Sequence, residues 1–198
     1  SKGTISRWLK DLQLTPGARK RLQGNIKRAQ ERGFFKFNKE RTNRVLEEND
    51  TALIDGTKTV GRLSGRELLL VGAALYWGEG TKTVPASGAR LSFANSDPSM
   101  VKLFMRFVRK ILNVPEIRIR AGIHIYDSIK TDESKEYWAE VTGLPPERFY
   151  IVRQVSKASK RIRDQRLLPY GTAVIRINDR KMFYRLCGMI QGLTKNKT

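Results

Sequence analysis

The pattern of hydrophobic and polar positions changes near residue 63. From there to the end, apolar residues recur with the spacing first of helices and then of strands, in alternation. Before residue 63 the apolar residues are scattered among basic ones, and residues 49–62 are rich in types that favour turns. The sequence therefore predicts two parts: a basic helical region at 1–62 and a compact domain of helices and strands at 63–198.

Eight elements are predicted in the second part, in the order helix, strand, helix, strand, short helix, strand, strand, helix. The first helix, 64–79, begins with Ser64 and Glu67 in the positions of a capping box, and Asp97 is placed to cap the second helix. The strands are predicted at 90–95, 116–126, 148–157 and 172–178, and the later helices at 98–112, 131–143 and 179–193. Residues 116–126 alternate almost perfectly between aliphatic and polar, so the predicted sheet is buried on one face only.

The polar face of this sheet has an unusual composition. Read in simple alternation along each strand, it carries Ser92, Arg118, Arg120, His124, Arg153 and Arg176. An ordinary solvent face would mix Lys, Glu and Thr, but residues 117–126 contain no acid. We interpret the polar face as a DNA-contacting surface, with an ordinary solvent face as the alternative.

The charge of the chain agrees with this interpretation. The 198 residues include 39 Lys and Arg against 19 Asp and Glu, which gives a formal net charge of +20. Such a surface concentrates polyanions, and the basic residues are interleaved with apolar ones, so the chain is not a disordered basic tail. A folded nucleic-acid-binding protein is the first interpretation, and a basic component of a larger, ribosome-like assembly is the alternative.

Few residues are available for redox or metal chemistry. The single cysteine, Cys187, cannot form an internal disulfide, and the single histidine, His124, excludes mechanisms that need two. No cluster of Cys and His suggests zinc. No signal peptide or membrane-spanning apolar run is recognisable, which predicts a cytoplasmic, nucleoid-associated protein without a membrane partner. The chain starts at Ser1 rather than Met, as a fragment would.

The first residues resemble part of a helix-turn-helix. The stretch SKGTISRWLKDLQLTP (1–16) has the pattern of the recognition helix of resolvase-type domains, but the two helices that precede it in such domains are absent. A basic helical stretch follows over 17–49, interrupted by Gly24 and Gly33. This stretch is interpreted either as a solvated linker helix or as a helix that follows the phosphates of a nucleic acid.

The helix at 64–79 is apolar on nearly every side, which predicts that it is buried all round. Ala74 and Gly78 lie one turn apart and lack bulk, so the backbone of another helix could approach closely there. Glu79 follows at the helix C-terminus, beside Gly80 as the expected C-cap. The helix dipole is unfavourable for a carboxylate at this end, so we expect a divalent cation or a basic partner to compensate it.

The residues GAALYWGEG (72–80) resemble a degenerate LAGLIDADG motif, the signature of a family of homing endonucleases. In that family two such helices pack side by side, which implies a dimer interface of Gly72, Ala74, Leu75 and Gly78. The resemblance also implies that Glu79, with Gly78 beside it, holds a divalent metal ion, Mg²⁺ or Mn²⁺. Trp77 stands where the motif has an acid, and Gly72 and Ala74 stand where Leu and Gly are usual.

The resemblance extends over residues 63–193, because the stretch at 90–112 is similar to the second strand and second helix of the family. It implies an α+β domain of the order αββαββα, with a saddle-shaped antiparallel sheet over the DNA major groove. It further implies a homodimeric, site-specific endonuclease that cuts both strands of a pseudo-palindromic target and leaves short 3′ overhangs. Lys82 and Lys157 are the candidates for a basic residue near the metal.

Two other functions fit the same resemblance. Some relatives keep the fold as transcription regulators that bind DNA without cleaving it, and a helix-turn-helix head suits such a regulator. The third possibility is an RNA-binding, maturase-like intron cofactor. Glu79 favours the endonuclease, because a site that no longer cleaves DNA has no reason to keep an acid at a helix C-terminus.

Overall fold

The structure is a computed structural model that describes residues 2–84, 88–127, 129–154 and 168–195. The chain divides into two compact units between Gly61 and Arg62, one residue before the predicted boundary. The first unit contains helices α1 (Lys2–Trp8) and α2 (Pro16–Val60). Within the described residues, no helix of either unit is long and apolar enough to cross a membrane.

Helix α2 continues without a break for 45 residues, which corrects two predictions for this region. Gly24 and Gly33 do not interrupt it, because a glycine in a helix interior costs only about 1 kcal/mol relative to alanine. Residues 49–60 are helical rather than a turn-rich boundary. Three threonine hydroxyls donate to carbonyls four residues earlier, at 2.8 to 3.0 Å, and so satisfy their hydrogen bonds inside the helix: Thr51, Thr57 and Thr59.

The second unit is an α+β domain. Its described elements are α3 (Gly65–Glu79), β1 (Leu91–Asn95), α4 (Pro98–Lys110), β2 (Ile119–Ile125), α5 (Thr131–Thr142), β3 (Phe149–Arg153), β4 (Thr172–Ile177) and α6 (Arg180–Lys195). Short 3-10 turns, Glu116–Arg118 and Pro146–Arg148, precede β2 and β3. This order of helices and strands confirms the order predicted from the hydrophobic spacing.

The sheet differs from the antiparallel αββαββα arrangement that the resemblance implies. The strand order across it is β1-β4-β2-β3, and β2 and β3 are parallel while the other two pairs are antiparallel. The sheet is therefore mixed, with α4 between β1 and β2 in the chain and α5 between β2 and β3. The physical reason is α5, because a helical crossover returns the chain so that the next strand runs in the same direction as the last.

Alternate positions on the strands form a hydrophobic inner face. One row across the four strands consists of buried residues: Phe93, Ile175, Ala121 and Phe149. The Phe93 ring stacks on that of Phe104 from α4, with the ring centroids 4.0 Å apart. Buried residues of all four helices join this face in one core. The opposite, outer face of the sheet is the one predicted to be polar.

Both predicted helix caps are confirmed. Ser64 Oγ accepts a hydrogen bond from the backbone N–H of Glu67 at 3.2 Å, and a Glu67 carboxylate oxygen accepts from the backbone N–H of Ser64 at 2.7 Å. The hydrogen bond from the backbone N–H of Ser64 to the Glu67 carboxylate, and then the one from the Ser64 side chain, lower the pKa of Glu67 from its usual value. Asp97 accepts from the backbone N–H of Ser99 at 2.7 Å. The starts of α3 and α4 are thus fixed by local sequence.

Helix α3 is buried on one side only, which corrects the prediction that it is buried all round. Its buried residues are Leu68, Gly72, Ala73 and Tyr76, and its exposed residues near the C-terminus are Ala74, Trp77, Gly78 and Glu79. Gly72 faces α4, because a Cβ at this position would lie 2.1 Å from the Phe107 ring. Gly72 therefore packs within one chain, and the prediction that it lies in a dimer interface is wrong.

Replacement of Gly72 by alanine is expected to destabilise the second unit, because the new methyl group overlaps the Phe107 ring. Overpacking of a core typically costs about 1–3 kcal/mol. Gly65→Ala is the matched control on the same helix, since nothing lies within 4 Å of a Cβ there. The control should be neutral or stabilising by up to about 1 kcal/mol. Urea denaturation followed by circular dichroism measures both variants, and equal effects would contradict this packing.

Candidate nucleic-acid interface

The outer face of the sheet brings together four of the six residues predicted to bind nucleic acid. Ser92 aligns with Arg176, and Arg176 aligns with Arg120, so these three form a row across β1, β4 and β2. His124 lies on the same face of β2, where it aligns with Thr172. Arg120 is exposed, Arg176 and His124 are half-buried, and Ser92 is nearly buried.

The other two predicted residues lie elsewhere, which corrects both predictions. Arg118 precedes β2 in a 3-10 turn, and its guanidinium group binds the Asp179 carboxylate at 3.1 Å. Arg153 aligns with Ile125, so it belongs to the inner face and is exposed only because it ends the strand. The cause of the second error is the phase of β3: the strand begins at Phe149, which is buried, so Arg153 falls on the same side as Phe149.

Tyr150 occupies the outer face of β3 instead. It aligns with Gly122 of β2, and its ring lies over that residue, since a Cβ on Gly122 would be 2.5 Å from Tyr150 Cζ. The same ring faces Arg176, whose Cζ is 5.5 Å from the ring centroid. This distance is within the range of cation–π attraction. The available sequence signal was Gly122 itself, because a glycine inside an alternating strand often marks close approach by another group.

The surroundings of His124 favour the neutral imidazole. Burial, and to a lesser extent the positive charge of Arg176, lower the pKa of His124 below its usual 6.5. The Gln154 side-chain nitrogen lies 3.3 Å from His124 Nδ1. An amide nitrogen is a donor, so Nδ1 accepts and Nε2 carries the ring proton. Among the described residues, His124 Nε2 and Arg176 Nε are buried without a hydrogen-bond partner.

The C-terminal end of α3 is tied to the sheet. The Tyr76 hydroxyl donates to the Thr81 carbonyl at 2.7 Å, and burial raises the pKa of Tyr76 to about 12, so the phenol stays protonated. Gly80 is the C-cap residue, as expected, and it pairs with Phe93 of β1. Its φ of −79° is not left-handed. Glycine is required here because a Cβ would lie 2.4 Å from the Tyr76 ring.

Glu79 and Lys82 lie on either side of this turn. Glu79 is the last residue of α3, is exposed, and forms no hydrogen bond or ion pair with any described residue. Lys82 donates from Nζ to the carbonyl of Trp77 at 2.6 Å. Its ammonium group complements the negative end of the helix dipole, so Lys82 is a basic partner of the kind expected for this helix end. The other candidate, Lys157, lies outside the described residues.

A divalent metal ion would find an incomplete set of ligands at this end of one chain. Within the described residues, no three His, Cys, Asp or Glu side chains come together as a metal site. Mg²⁺ often binds proteins through one or two carboxylates, and waters and phosphate oxygens supply its remaining ligands. The exposed carboxylate of Glu79 therefore fits part of a Mg²⁺ or Mn²⁺ site, which a second chain and a phosphate would have to complete.

Several exposed residues precede Glu79 in the last turns of α3. Ala74 and Gly78 are exposed one turn apart, and Trp77 between them is 46% exposed. Leu75 is half-buried and packs against the core. Of the four residues predicted at a dimer interface, Ala74 and Gly78 are thus the two available for contact. Small residues at this spacing leave room for a second helix to approach closely.

The pKa of His124 is expected to lie below 6.5 in an NMR titration of its imidazole. The unfolded chain then binds the proton first, so the stability due to His124 is fully present above pH 6.5 and is lost as the pH falls through the folded pKa. Arg176→Gln should raise the pKa only part of the way, because burial is the larger cause. Arg120→Gln, which removes the same charge from the same face, should shift it less. A pKa at or above 6.5 would contradict the described environment.

The contact between Tyr150 and Gly122 can be measured as a coupling energy. Gly122→Ala is expected to destabilise the second unit by about 1 kcal/mol, because its methyl group displaces the exposed tyrosine ring and weakens the cross-strand contact. In a Tyr150→Ala background the same change should have little effect, since the ring is gone. A double-mutant cycle by urea denaturation should therefore give a coupling of about 0.5–3 kcal/mol. Additive effects of the two substitutions would show that the ring does not lie over Gly122.

Comparisons of the chain with protein-family models, with curated proteins and with solved structures find no match. The features that bear on function are therefore those of the chain itself. They are an outer sheet face on which Tyr150 covers Gly122 beside Arg176, and an exposed side of α3 that ends in the carboxylate of Glu79.

Proposed function

We propose that the protein is a homodimeric, site-specific DNA endonuclease of the LAGLIDADG homing-endonuclease type. The observation that carries this proposal is the exposed side of α3, where the small residues Ala74 and Gly78 lead to the exposed carboxylate of Glu79. The described part of the fold does not use this carboxylate. Two copies of α3 packed through the small residues would bring two such acids together at a two-fold axis.

Double-stranded DNA is the proposed substrate, and the outer face of the sheet supports it. Arg120 and Arg176 lie on one face, and arginine pairs with the acceptors of guanine in the major groove. From residue 62 to residue 198 the chain carries 25 Lys and Arg against 12 Asp and Glu. The second unit therefore concentrates a polyanion without help from the first.

The proposed mechanism places the chemistry at the ends of the two α3 helices. Glu79 of each chain, with Gly78 beside it, would hold a divalent ion close to the phosphate that is cut. When bound, Mg²⁺ or Mn²⁺ neutralises charge on the phosphate and activates water for attack. Lys82, which the Trp77 carbonyl holds at the same helix end, adds a positive charge that stabilises the departing oxygen. Because the site is two-fold symmetric, the target is pseudo-palindromic.

A DNA-binding regulator that does not cleave is the second candidate, and Lys82 is the observation that favours it. Its ammonium group already complements the dipole of α3, so the helix end is stable without a metal ion. The two candidates share the dimer and the DNA-binding face. They differ in one property, which is whether Glu79 takes part in a reaction.

Cleavage of a randomised DNA library with Mg²⁺ or Mn²⁺ tests the proposal. We expect metal-dependent double-strand cuts at one near-palindromic site, and we expect Glu79→Gln to abolish them, because the substitution removes the charge that holds the metal. Glu136→Gln is the matched control, since Glu136 is also an exposed glutamate in a helix, on α5. The control should cut at the wild-type rate.

Three outcomes of this experiment are informative about the two candidates. Selective retention of one DNA sequence without cutting, unchanged by Glu79→Gln, would establish the non-cleaving regulator. Cutting that survives Glu79→Gln would place the reaction elsewhere in the chain. Equal losses in the Glu79 and Glu136 variants would indicate a general effect of charge rather than a role for Glu79.

A further inference from the structure

Helix α2 has no buried residue along its 45 residues. Most helices in globular proteins are about 11–12 residues long, and they owe most of their stability to packing against other elements. A helix of this length whose side chains belong to no core has surface available for partners. The distribution of charges around and along α2 indicates which kind of ligand binds the helix.

The charge of α2 is divided along its length. Residues 16–44 contain ten Lys and Arg against two acids, whereas residues 45–60 contain four acids against one lysine. A solvated helix has no need of such a division, because alternating signs along a face give stabilising pairs. The basic two-thirds of the helix instead has the charge of a surface for a polyanion.

The basic residues are also ordered around the helix. At 3.6 residues per turn, four of them fall within about 40° of one another, and we call these the basic stripe: Arg21, Arg28, Arg32 and Lys39. With a rise of 1.5 Å per residue, the stripe is about 27 Å long. The two acids of this segment, Glu31 and Glu40, lie outside it. The Arg28 guanidinium donates to the Gly24 carbonyl at 3.3 Å and to the Asn25 side chain at 2.7 Å, and so lies along the helix surface.

Most of the exposed apolar side chains of the same segment lie on a different side. Leu22, Ile26 and Phe37 cluster about 130° away from the basic stripe, whereas Phe35 lies about 40° from its centre. A second helix of this protein would pack against that apolar side, because helix pairs bury an apolar seam. The basic stripe is therefore available to a ligand that is itself charged rather than apolar.

We propose that the basic stripe of α2 binds the phosphate backbone of double-stranded DNA, independently of base sequence, as a contact separate from the outer sheet face. DNA carries one charge per about 1.7 Å of its axis, so a 27 Å stripe runs beside roughly 16 phosphate charges. Arginine matches phosphate well, because its planar guanidinium donates two parallel hydrogen bonds. This inference rests on the proposed function only in that it takes the polyanion to be DNA.

The salt dependence of DNA binding tests the proposal in the full chain. The variant replaces all four stripe residues by glutamine: Arg21→Gln, Arg28→Gln, Arg32→Gln and Lys39→Gln. The matched control removes the same charge from exposed positions of the same helix outside the stripe: Lys20→Gln, Lys27→Gln, Arg41→Gln and Arg44→Gln. The probe is a random-sequence duplex in EDTA, so that metal-dependent cleavage does not interfere. Circular dichroism checks that both variants keep their helix content.

We expect the slope of log affinity against log salt to become shallower by about three to four in the stripe variant, since each phosphate contact contributes about 0.9. The control should change the slope by about one or less. Equal changes in the two variants would show that total charge, and not the stripe, determines binding, and would overturn the proposal. An unchanged slope with an altered mass in sedimentation would also overturn it, because α2 would then bind a second copy of the chain.

The failure of this inference and the failure of the proposed function are separable. A weaker salt dependence of DNA binding in the stripe variant, together with no cutting of DNA by the wild-type protein, would support the basic stripe and reject the endonuclease. Metal-dependent cutting, with a salt dependence of binding that the stripe substitutions leave unchanged, would support the endonuclease and reject the basic stripe. Arg120→Gln with Arg176→Gln serves as the reference for contacts made by the sheet face.

Discussion

The contact between Gly72 and Phe107 determines which surfaces of the second unit are free. Because position 72 lacks a side chain, α4 approaches α3 closely enough for the Phe107 ring to occupy that space. Phe104, one turn earlier on α4, can then stack on Phe93 of the sheet. The side of α3 that carries Gly72 is therefore buried within the chain. Ala74 and Gly78 are left exposed on another side of α3, and Glu79 is exposed because it is the last residue of the helix.

Two further glycines act in the same way, each beneath an aromatic ring of a neighbouring segment. Gly80 leaves space for the ring of Tyr76 at the end of α3, where the chain pairs with Phe93 of β1. Gly122 admits the ring of Tyr150, which then faces Arg176 on the outer sheet face. The positions of both candidate functional surfaces thus depend on the absence of a Cβ at a few sites, and not on unusual backbone angles.

Local patterns predicted the elements of the second unit well, because capping and alternation are short-range effects. The caps at Ser64 and Asp97 and the order of the eight elements are confirmed. The pairing of β3 was not predictable in this way, because its parallel direction is set by α5 and its phase by the burial of Phe149. Because of this phase of β3, Tyr150 lies on the outer face of the sheet, where Arg153 was expected. The continuity of α2 was also not predicted, because its four glycines and several threonines each weaken a helix. The 45-residue helix tolerates them all the same. The resemblance to a homing endonuclease stays a prediction.

The strongest argument that Glu79 has a role beyond the fold is that the fold gains little from it. An acid at a helix C-terminus is unfavourable, and the group that complements this end of α3 is the ammonium of Lys82, which binds a backbone carbonyl rather than the Glu79 carboxylate. Elsewhere in the unit, acids that serve the structure are engaged: Glu67 caps α3, Glu116 binds Arg109, and Asp179 binds Arg118. Glu79 forms no such contact with a described residue. The proposed role of Glu79 as a metal ligand therefore rests on an exposed carboxylate at an unfavourable helix end that the described part of the fold does not engage.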